Sequence, residues 1–332
     1  MIASIFFMAA QSHLIISERR PPESLGVYPT PLQRVDALCH DGIEFWIKRD
    51  DLTNPIYGGN KVRKLERILE NARKSGVKRI VTVGATGSHH VLATAVFAPF
   101  YGISAQAVMV PQPMTAHVEA NFRAAVELGL QAIRVPGAWL APLAMMAGAL
   151  GGATIVAPGG SSVDGALGYV DAARELADQV AAGAMPEPDA IVVALGSGGT
   201  AAGLAAGVRL AGLKTKVIGV NVSQPVWLVN RYAKWLEKRC FRAISRDPFR
   251  SSLTTDSRYL GRGYGFATDA GDRATAVAAE AGVTLDPTYT AKTFAAALDL
   301  AASGTTPVVL YWHTLSSAPL TALGRPVTAL LR

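Results

Sequence analysis

Lys61 follows Tyr57-Gly58-Gly59-Asn60 and opens the run Val62-Arg63-Lys64-Leu65-Glu66, with Lys48-Arg49-Asp50-Asp51-Leu52 shortly before it. The two glycines permit a sharp turn, and apolar spacing through Leu65 and Leu69 predicts a helix whose first turn holds the lysine. The positive end of a helix dipole disfavours an ammonium, which moves the amine toward a nucleophilic range suited to Schiff-base chemistry. The same spacing also fits one more surface lysine. A second landmark is the strand-like run 190–195, followed by Gly196-Ser197-Gly198-Gly199-Thr200-Ala201 and a helix expected to reach Leu213. Glycines there allow close backbone approach, and free N–H groups at the helix start form an anion site of phosphate size. Gly196, Gly198 and Ala201 also satisfy the loose dinucleotide pattern, but the next strand ends around Asn221 with no nearby Asp or Glu for a ribose.

Gly84-Ala85-Thr86-Gly87-Ser88-His89-His90 lies between a predicted strand and a predicted helix through Phe97. That helix start suits a carboxylate, with the Ser88 hydroxyl as an extra donor; a plain N-cap with solvent-facing histidines is the alternative.

The elements that must hold these groups read as an α/β chain. Apolar runs at 79–83, 105–110, 132–135, 153–157, 190–195, 216–222 and 307–312 alternate with amphipathic segments, a rhythm of parallel sheet covered by helices. Residues 63–169 carry four of the runs and are expected to form a small inserted domain. Residues 1–62 and 170–332 would then form the larger one. The 332 residues are 50% hydrophobic and 17% charged, which fits an enzyme-like core and excludes a disordered or fibrous chain. The net charge of +7 is spread in small groups with no aromatic-interleaved basic stripe, which argues against nucleic acid as a partner. Cys39 and Cys240 resemble neither a disulfide framework nor a metal site, so no metal is expected and a reducing cytoplasm fits. Met1 to Ile16 is apolar but interrupted by Gln11, Ser12 and His13, and reads as an extension, or as an upstream start with Met8 the true beginning. The uncharged stretch 135–163 is broken by prolines and glycines, which predicts a buried helix and a strand rather than a membrane span. Residues 239–258 read as an exposed connection or a mobile lid.

From Tyr28 onward the chain resembles the D-cysteine desulfhydrase and 1-aminocyclopropane-1-carboxylate (ACC) deaminase family. These are pyridoxal phosphate (PLP) enzymes of the two-domain, tryptophan-synthase-β-like fold type II, with helix-covered parallel sheets in both domains. The resemblance implies PLP carried on Lys61, with Lys64 near its phosphate and Gly196, Ser197, Gly198, Gly199 and Thr200 as the phosphate cup. Ser88 matches the active-site serine. His89 stands where relatives have an asparagine beside the phenolic oxygen, and His90 and Thr314 fall on the substrate side. Leu285-Asp286-Pro287-Thr288-Tyr289-Thr290 resembles the segment that lays a tyrosine, here Tyr289, over the substrate. Thr290 would face the pyridine nitrogen, where ACC deaminases carry a glutamate and desulfhydrases a hydroxyl. A neutral hydroxyl weakens the electron sink, which favours β-elimination over ring opening. Gly261-Arg262-Gly263-Tyr264-Gly265 resembles a loop that brings a second tyrosine. The segments 158–162 and 168–170 resemble the return between domains, while Leu315 and Ser316 replace a glycine pair. The implied reaction gives pyruvate, ammonia and sulfide from D-cysteine, in a homodimer. ACC deaminase, a cysteate sulfo-lyase, a non-catalytic PLP-binding protein and, from another class, an NAD(P)-dependent oxidoreductase are the alternatives.

Overall fold

The computed structural model describes residues 23–318, 320 and 323, so the expectations for residues 1–16 and for Met8 lie outside the described residues. In chain order the strands are β1 (Leu32–Arg34), β2 (Glu44–Arg49), β3 (Arg79–Ala85), β4 (Ser104–Val110), β5 (Gln131–Arg134), β6 (Thr154–Ile155), β7 (Ala190–Leu195), β8 (Lys216–Asn221), β9 (Leu253–Asp256) and β10 (Val308–His313). The helices are α1 (Lys61–Lys74), α2 (His89–Phe97), α3 (Ala116–Glu127), α4 (Ala141–Ala149), α5 (Val163–Ala181), α6 (Gly199–Leu210), α7 (Val226–Ile244), α8 (Asp269–Glu280) and α9 (Thr290–Ala302).

The chain divides into two compact units, one built on residues 65–160 and the other on 27–64 and 161–317. The sequence boundaries at 62 and 169 thus move to 64 and 160. The second shift has a plain cause: α5 is one continuous helix with a buried face that runs from Gly165 to Leu176, and a cut at 169 would divide that face.

The smaller unit is a parallel sheet in the order β5-β4-β3-β6, with Arg79 opposite Ser104 and Ala85 opposite Val110. Helix α2 is buried from His90 to Phe97. Helix α4 is not the buried helix expected. Ala141 and Met145, four residues apart, enter the cluster with Val81 and Val108. Leu143 and Met146 point the other way and are 64% and 65% exposed.

The larger unit is a six-stranded sheet ordered β1-β2-β10-β7-β8-β9, parallel except for β1. Side chains alternate across it: Val309 and Tyr311 of β10 join Phe45, Ile47 and Phe294 on the α8–α9 side. Leu310 and Trp312 join Tyr169, Leu176 and Leu204 on the α5–α6 side. Strands β1, β2 and β9 were not legible as apolar runs because they carry Arg, Lys, Thr and Asp. Residues 239–258 are not a free connection either. They include the end of α7 and the edge strand β9, and the buried carboxylate of Glu237 accepts from Ser251 Oγ (2.6 Å) and Ser252 N (2.8 Å), which pins the chain between them. The exposed face of α7 interleaves Trp227, Tyr232 and Trp235 with Arg231, Lys234 and Arg239. Aromatic and basic side chains are thus interleaved within 227–239, a pattern expected to be absent from the chain.

A buried polar knot joins the end of β2 to the start of α1. Arg63 places Nη2 2.9 Å from Asp50 Oδ1 and Nη1 2.8 Å from Glu175 Oε2. Tyr169 Oη and Trp312 Nε1 both donate to Asp50 Oδ2 at 2.8 Å, and Lys48 Nζ lies 2.6 Å from Glu175. Burial alone would push the Asp50 carboxyl up, yet the Arg63 guanidinium and the Trp312 donor hold it below the usual carboxylate range. Removing one partner leaves an uncompensated buried charge, so Arg63→Met is expected to cost about 3–5 kcal/mol in urea denaturation. Because the folded carboxyl is depressed, the knot stabilises fully above about pH 4 and weakens as pH falls below that. A stability loss in Arg63→Met that is unchanged on acidification would contradict this.

Candidate active site

The groups of the larger unit that could do chemistry cluster at the carboxyl ends of its parallel strands, where open α/β sheets commonly bind ligands. After β2 the chain turns through Gly58 and Gly59 into α1. A Cβ at Gly58 would sit 2.0 Å from the Asp51 carbonyl oxygen, and Gly59 has φ +87° with Thr314 O 2.7 Å from where a Cβ would be. No other residue type fits that turn without moving backbone. Gly59 N donates to Asp50 O (2.8 Å), Asn60 N to Thr314 O (3.1 Å) and Gly58 N to Ser316 Oγ (2.9 Å). Ser316 therefore anchors the turn that delivers Lys61.

Lys61 begins α1. Burial lowers its amine to about 8, while Asp286 pulls in the opposite direction. Lys64, one turn on, is 1% exposed, and its amine is lowered well below the ordinary value by burial first and by Lys61 second. The loop 196–198 leads into α6, with Gly198 in the left-handed region at φ 94°. A Cβ at Gly199 would lie 2.6 Å from Ser161 Oγ and 3.0 Å from Lys64 Nζ, so hydroxyl and amine converge on this helix start. Ser161 Oγ meets Ser197 Oγ at 2.7 Å and accepts from Gly199 N at 3.0 Å, and Asn60 Nδ2 donates to Thr200 Oγ1 at 3.0 Å. Two buried amines within one turn repel when charged, an arrangement that a bound anion relieves. The residues present thus fit a phosphate-bearing aldehyde: a depressed amine to receive the carbonyl, and a cup of N–H, hydroxyl and ammonium groups for the phosphate.

Tyr289 and Tyr264 meet through their hydroxyls at 2.6 Å. A Cβ at Gly196 would be 3.3 Å from the Tyr289 ring, which places that ring over the cup. Burial raises both phenols, so they are proton carriers in neutral form. The loop bearing Tyr264 is held from below by Lys292, whose buried Nζ donates to Leu260 O (2.8 Å) and Gly263 O (2.9 Å). His313 is buried, lowered to about 4 chiefly by burial, and paired through Nδ1 with Tyr311 Oη at 3.1 Å.

The structure changes the reading of two expected residues. Thr290 Oγ1 donates to Asp286 Oδ2 (2.7 Å) and accepts from Asp286 N (2.6 Å), so its hydroxyl is already engaged at the start of α9. His90 is 2% exposed, with Nε2 2.9 Å from Thr82 Oγ1 in the interior of the smaller unit, which gives it a packing place rather than a substrate-facing one. Thr314 is largely buried, and its carbonyl serves the Lys61 turn. In the smaller unit Ser88 caps α2, accepting from Val91 N at 3.4 Å, and His89 is the first helical residue.

Sequence reasoning missed Asp286, Asn60, Ser161, Lys292 and His313. Asp286 had a signal: Asp-Pro-Thr-Tyr-Thr before an apolar helix is capping chemistry, and its carboxylate accepts from Tyr289 N at 2.8 Å. Lys292 had none, since a lysine inside an Ala-rich helix looks solvated until the chain is folded.

Residues 23–313 match the family model described as pyridoxal-phosphate dependent enzyme, and the chain belongs to that family. The family is pyridoxal-phosphate dependent, so the dinucleotide reading is set aside. Among named relatives, the D-cysteine desulfhydrase of Serratia proteamaculans (strain 568) is 35% identical over 284 residues, covering 81% of this chain and 85% of the relative. That of Klebsiella pneumoniae (strain 342) is 36% identical over 285 residues, covering 82% and 85%. Among solved structures, an ACC deaminase homologue superposes with TM-score 0.78 at 28% identity, covering 94% of this chain and 99% of that one. Threonine deaminase isoform 2 from Solanum lycopersicum shares the fold, with TM-score 0.66 at 15% identity over 98% and 93%.

The Lys61 amine generates a pH prediction. Between about 8 and its ordinary 10.5 the folded protein binds fewer protons than the unfolded chain, so its stability relative to Lys61→Met rises with pH over that window. Urea denaturation of both proteins at about pH 7 and about pH 10 checks it; a constant difference would show that the amine is not depressed.

Proposed function

We propose that this PLP-dependent enzyme is a D-cysteine desulfhydrase-like lyase, eliminating sulfide from the β carbon of a small amino acid and leaving pyruvate and ammonia. The observation that carries the reading is the pairing on one helix of a depressed amine, Lys61, with a second buried amine, Lys64, aimed at the glycine cup. The D-cysteine desulfhydrase names of the relatives supply the substrate.

When bound, the cofactor supplies an electron sink for the carbanion at the substrate α carbon. Lys61 holds it, and as a free amine can take and return the α proton. Gly196, Ser197, Gly198, Gly199, Thr200 and Lys64 fix the phosphate. The hydroxyl-linked pair Tyr264 and Tyr289 carries a proton toward a departing thiolate, which is why both phenols are needed in neutral form. Ser88 and His89 take the roles of the matching residues in relatives, binding the substrate carboxylate and the cofactor's phenolic oxygen. Thr290 acts through Asp286 rather than alone: its neutral hydroxyl and that carboxylate form one unit. Cys39 and Cys240 are both free thiols, in keeping with a reducing cytoplasm. Among the described residues no helix is long and apolar enough to cross a membrane. The exposed Trp227, Tyr232 and Trp235 of α7 are residue types that interfaces concentrate, which supports a homodimer.

Sulfide and keto-acid release from D-cysteine, L-cysteine, cysteate and ACC tests the reading; turnover of D-cysteine with none of ACC is expected. Lys61→Ala is expected to lose the visible absorbance of the bound cofactor together with turnover. Lys64→Gln should keep the chemistry but bind the cofactor on the order of tenfold more weakly, the loss of one charge-assisted contact. ACC turnover without sulfide release would replace the desulfhydrase reading with a deaminase one, and cofactor binding without any turnover would favour a binding protein.

A further inference from the structure

Tyr264 sits on a segment with little shape of its own. Gly263 at φ +120° and Gly265 at φ +83° flank it, both in the left-handed region, and glycine gives up the most backbone entropy when one conformation is fixed. Gly263 N donates to Leu260 O at 3.2 Å and closes one turn. Among the described residues, the other hydrogen bonds of 261–265 reach only two side chains, Lys292 and Tyr289. Both stand at one place: Tyr289 immediately precedes α9, and Lys292 is the third residue of that helix.

Lys292 is fully buried, and its Nζ donates to Leu260 O at 2.8 Å and to Gly263 O at 2.9 Å. Burial lowers the amine and Asp286 opposes that shift, but an amine in either protonation state keeps the two N–H bonds that these contacts use. Gly263 O matters most. It lies in the planar peptide unit that also contains Tyr264 N and Cα, so holding this oxygen sets the direction in which the tyrosine leaves the backbone. Tyr289 is fixed separately, with its N–H donating to Asp286 Oδ1 at 2.8 Å. The two rings then meet edge to face, with centroids 5.6 Å apart, planes at 81° and hydroxyls at 2.6 Å.

We propose that Lys292 is a positioning residue: by holding Gly263 O it sets the Tyr264 hydroxyl against that of Tyr289, and it influences the reaction only through that contact. The chemical meaning rests on the function proposed above, in which the pair carries a proton toward the departing thiolate. The placement of Tyr264 does not rest on it. A lysine that only filled space in the core would cost stability when replaced and leave the tyrosine where it is.

Fluorine NMR of the full chain, loaded with PLP and labelled with 3-fluorotyrosine, reads that placement directly; the Tyr264 signal is the one lost in Tyr264→Phe. Lys292→Met, close in shape but without N–H, is expected to move the Tyr264 signal toward that of the free amino acid and to increase its shift between H2O and D2O. The signals of the core tyrosines Tyr169 and Tyr311 should stay in place. Lys292→Gln, which keeps two donors on a shorter stem, is the second variant and should give a smaller change in the same direction. A Tyr264 signal unmoved in the variants that fold would overturn the proposal. If D-cysteine is turned over, kcat should fall on the order of tenfold in Lys292→Met with KM little changed, and adding that substitution to Tyr264→Phe should cost nothing further. Losses that add would overturn it too, since they would show the lysine acting elsewhere than through Tyr264. Absence of turnover in the wild type would count against the lyase reading alone, because the fluorine signal needs no substrate.

Discussion

The buried contact between Asp50 and Arg63 is the constraint on which the larger unit's chemistry depends. It ties the end of β2 to the first turn of α1, where Lys61 stands two residues before Arg63 and Lys64 one residue after it. An ion pair so deeply desolvated gains little net free energy by itself. Its value is geometric: Asp50 has partners in Arg63, Tyr169 and Trp312, so the helix start has one register against the sheet. Gly58 and Gly59 remove the remaining freedom by fitting beneath backbone where a side chain cannot go.

Around that fixed start the electrostatics are economical. Asp286 is the carboxylate that Lys61, Tyr264, Tyr289 and His313 all feel, and it is engaged by the first turn of α9. Desolvation does most of the tuning, lowering the amines and the imidazole and raising the phenols, so all are biased toward their uncharged forms. Neutral amines and phenols can pass protons without first separating charge in a low-dielectric setting.

Much of this was legible in the sequence because it follows from local rules. The strands at 190–195 and 79–83, the glycine loop and the helix start at Lys61 are apolar period, turn chemistry and capping, and each appears where expected within a few residues. Strands β1, β2 and β9 escaped because their burial comes from neighbours brought in across the sheet, not from their own composition. In the same way Lys48, Lys292 and Glu237 look like surface charges in one dimension and are buried anchors in three. Thr290 was read as facing the pyridine nitrogen, whereas its hydroxyl is engaged by Asp286, a partnership that cannot be seen from its neighbours in sequence. The α7 face shows the reverse error: its aromatic and basic residues lie close together within 227–239, and folding adds only that they share an exposed face.

The Lys292 anchor has an evolutionary consequence. Tyr289 stands at the start of α9, and Lys292, in that helix's first turn, grips the backbone of the loop that carries Tyr264. The two phenols are thereby mounted on one rigid bracket although 25 residues separate them in the chain. Substitutions elsewhere in the segment between them, such as at Ala267 in the loop or the exposed Arg273 of α8, can accumulate without misaligning the hydroxyls. A drift at position 292 would detune both tyrosines together, so lineages that explore new leaving groups have freedom in the loop and little at its fastener.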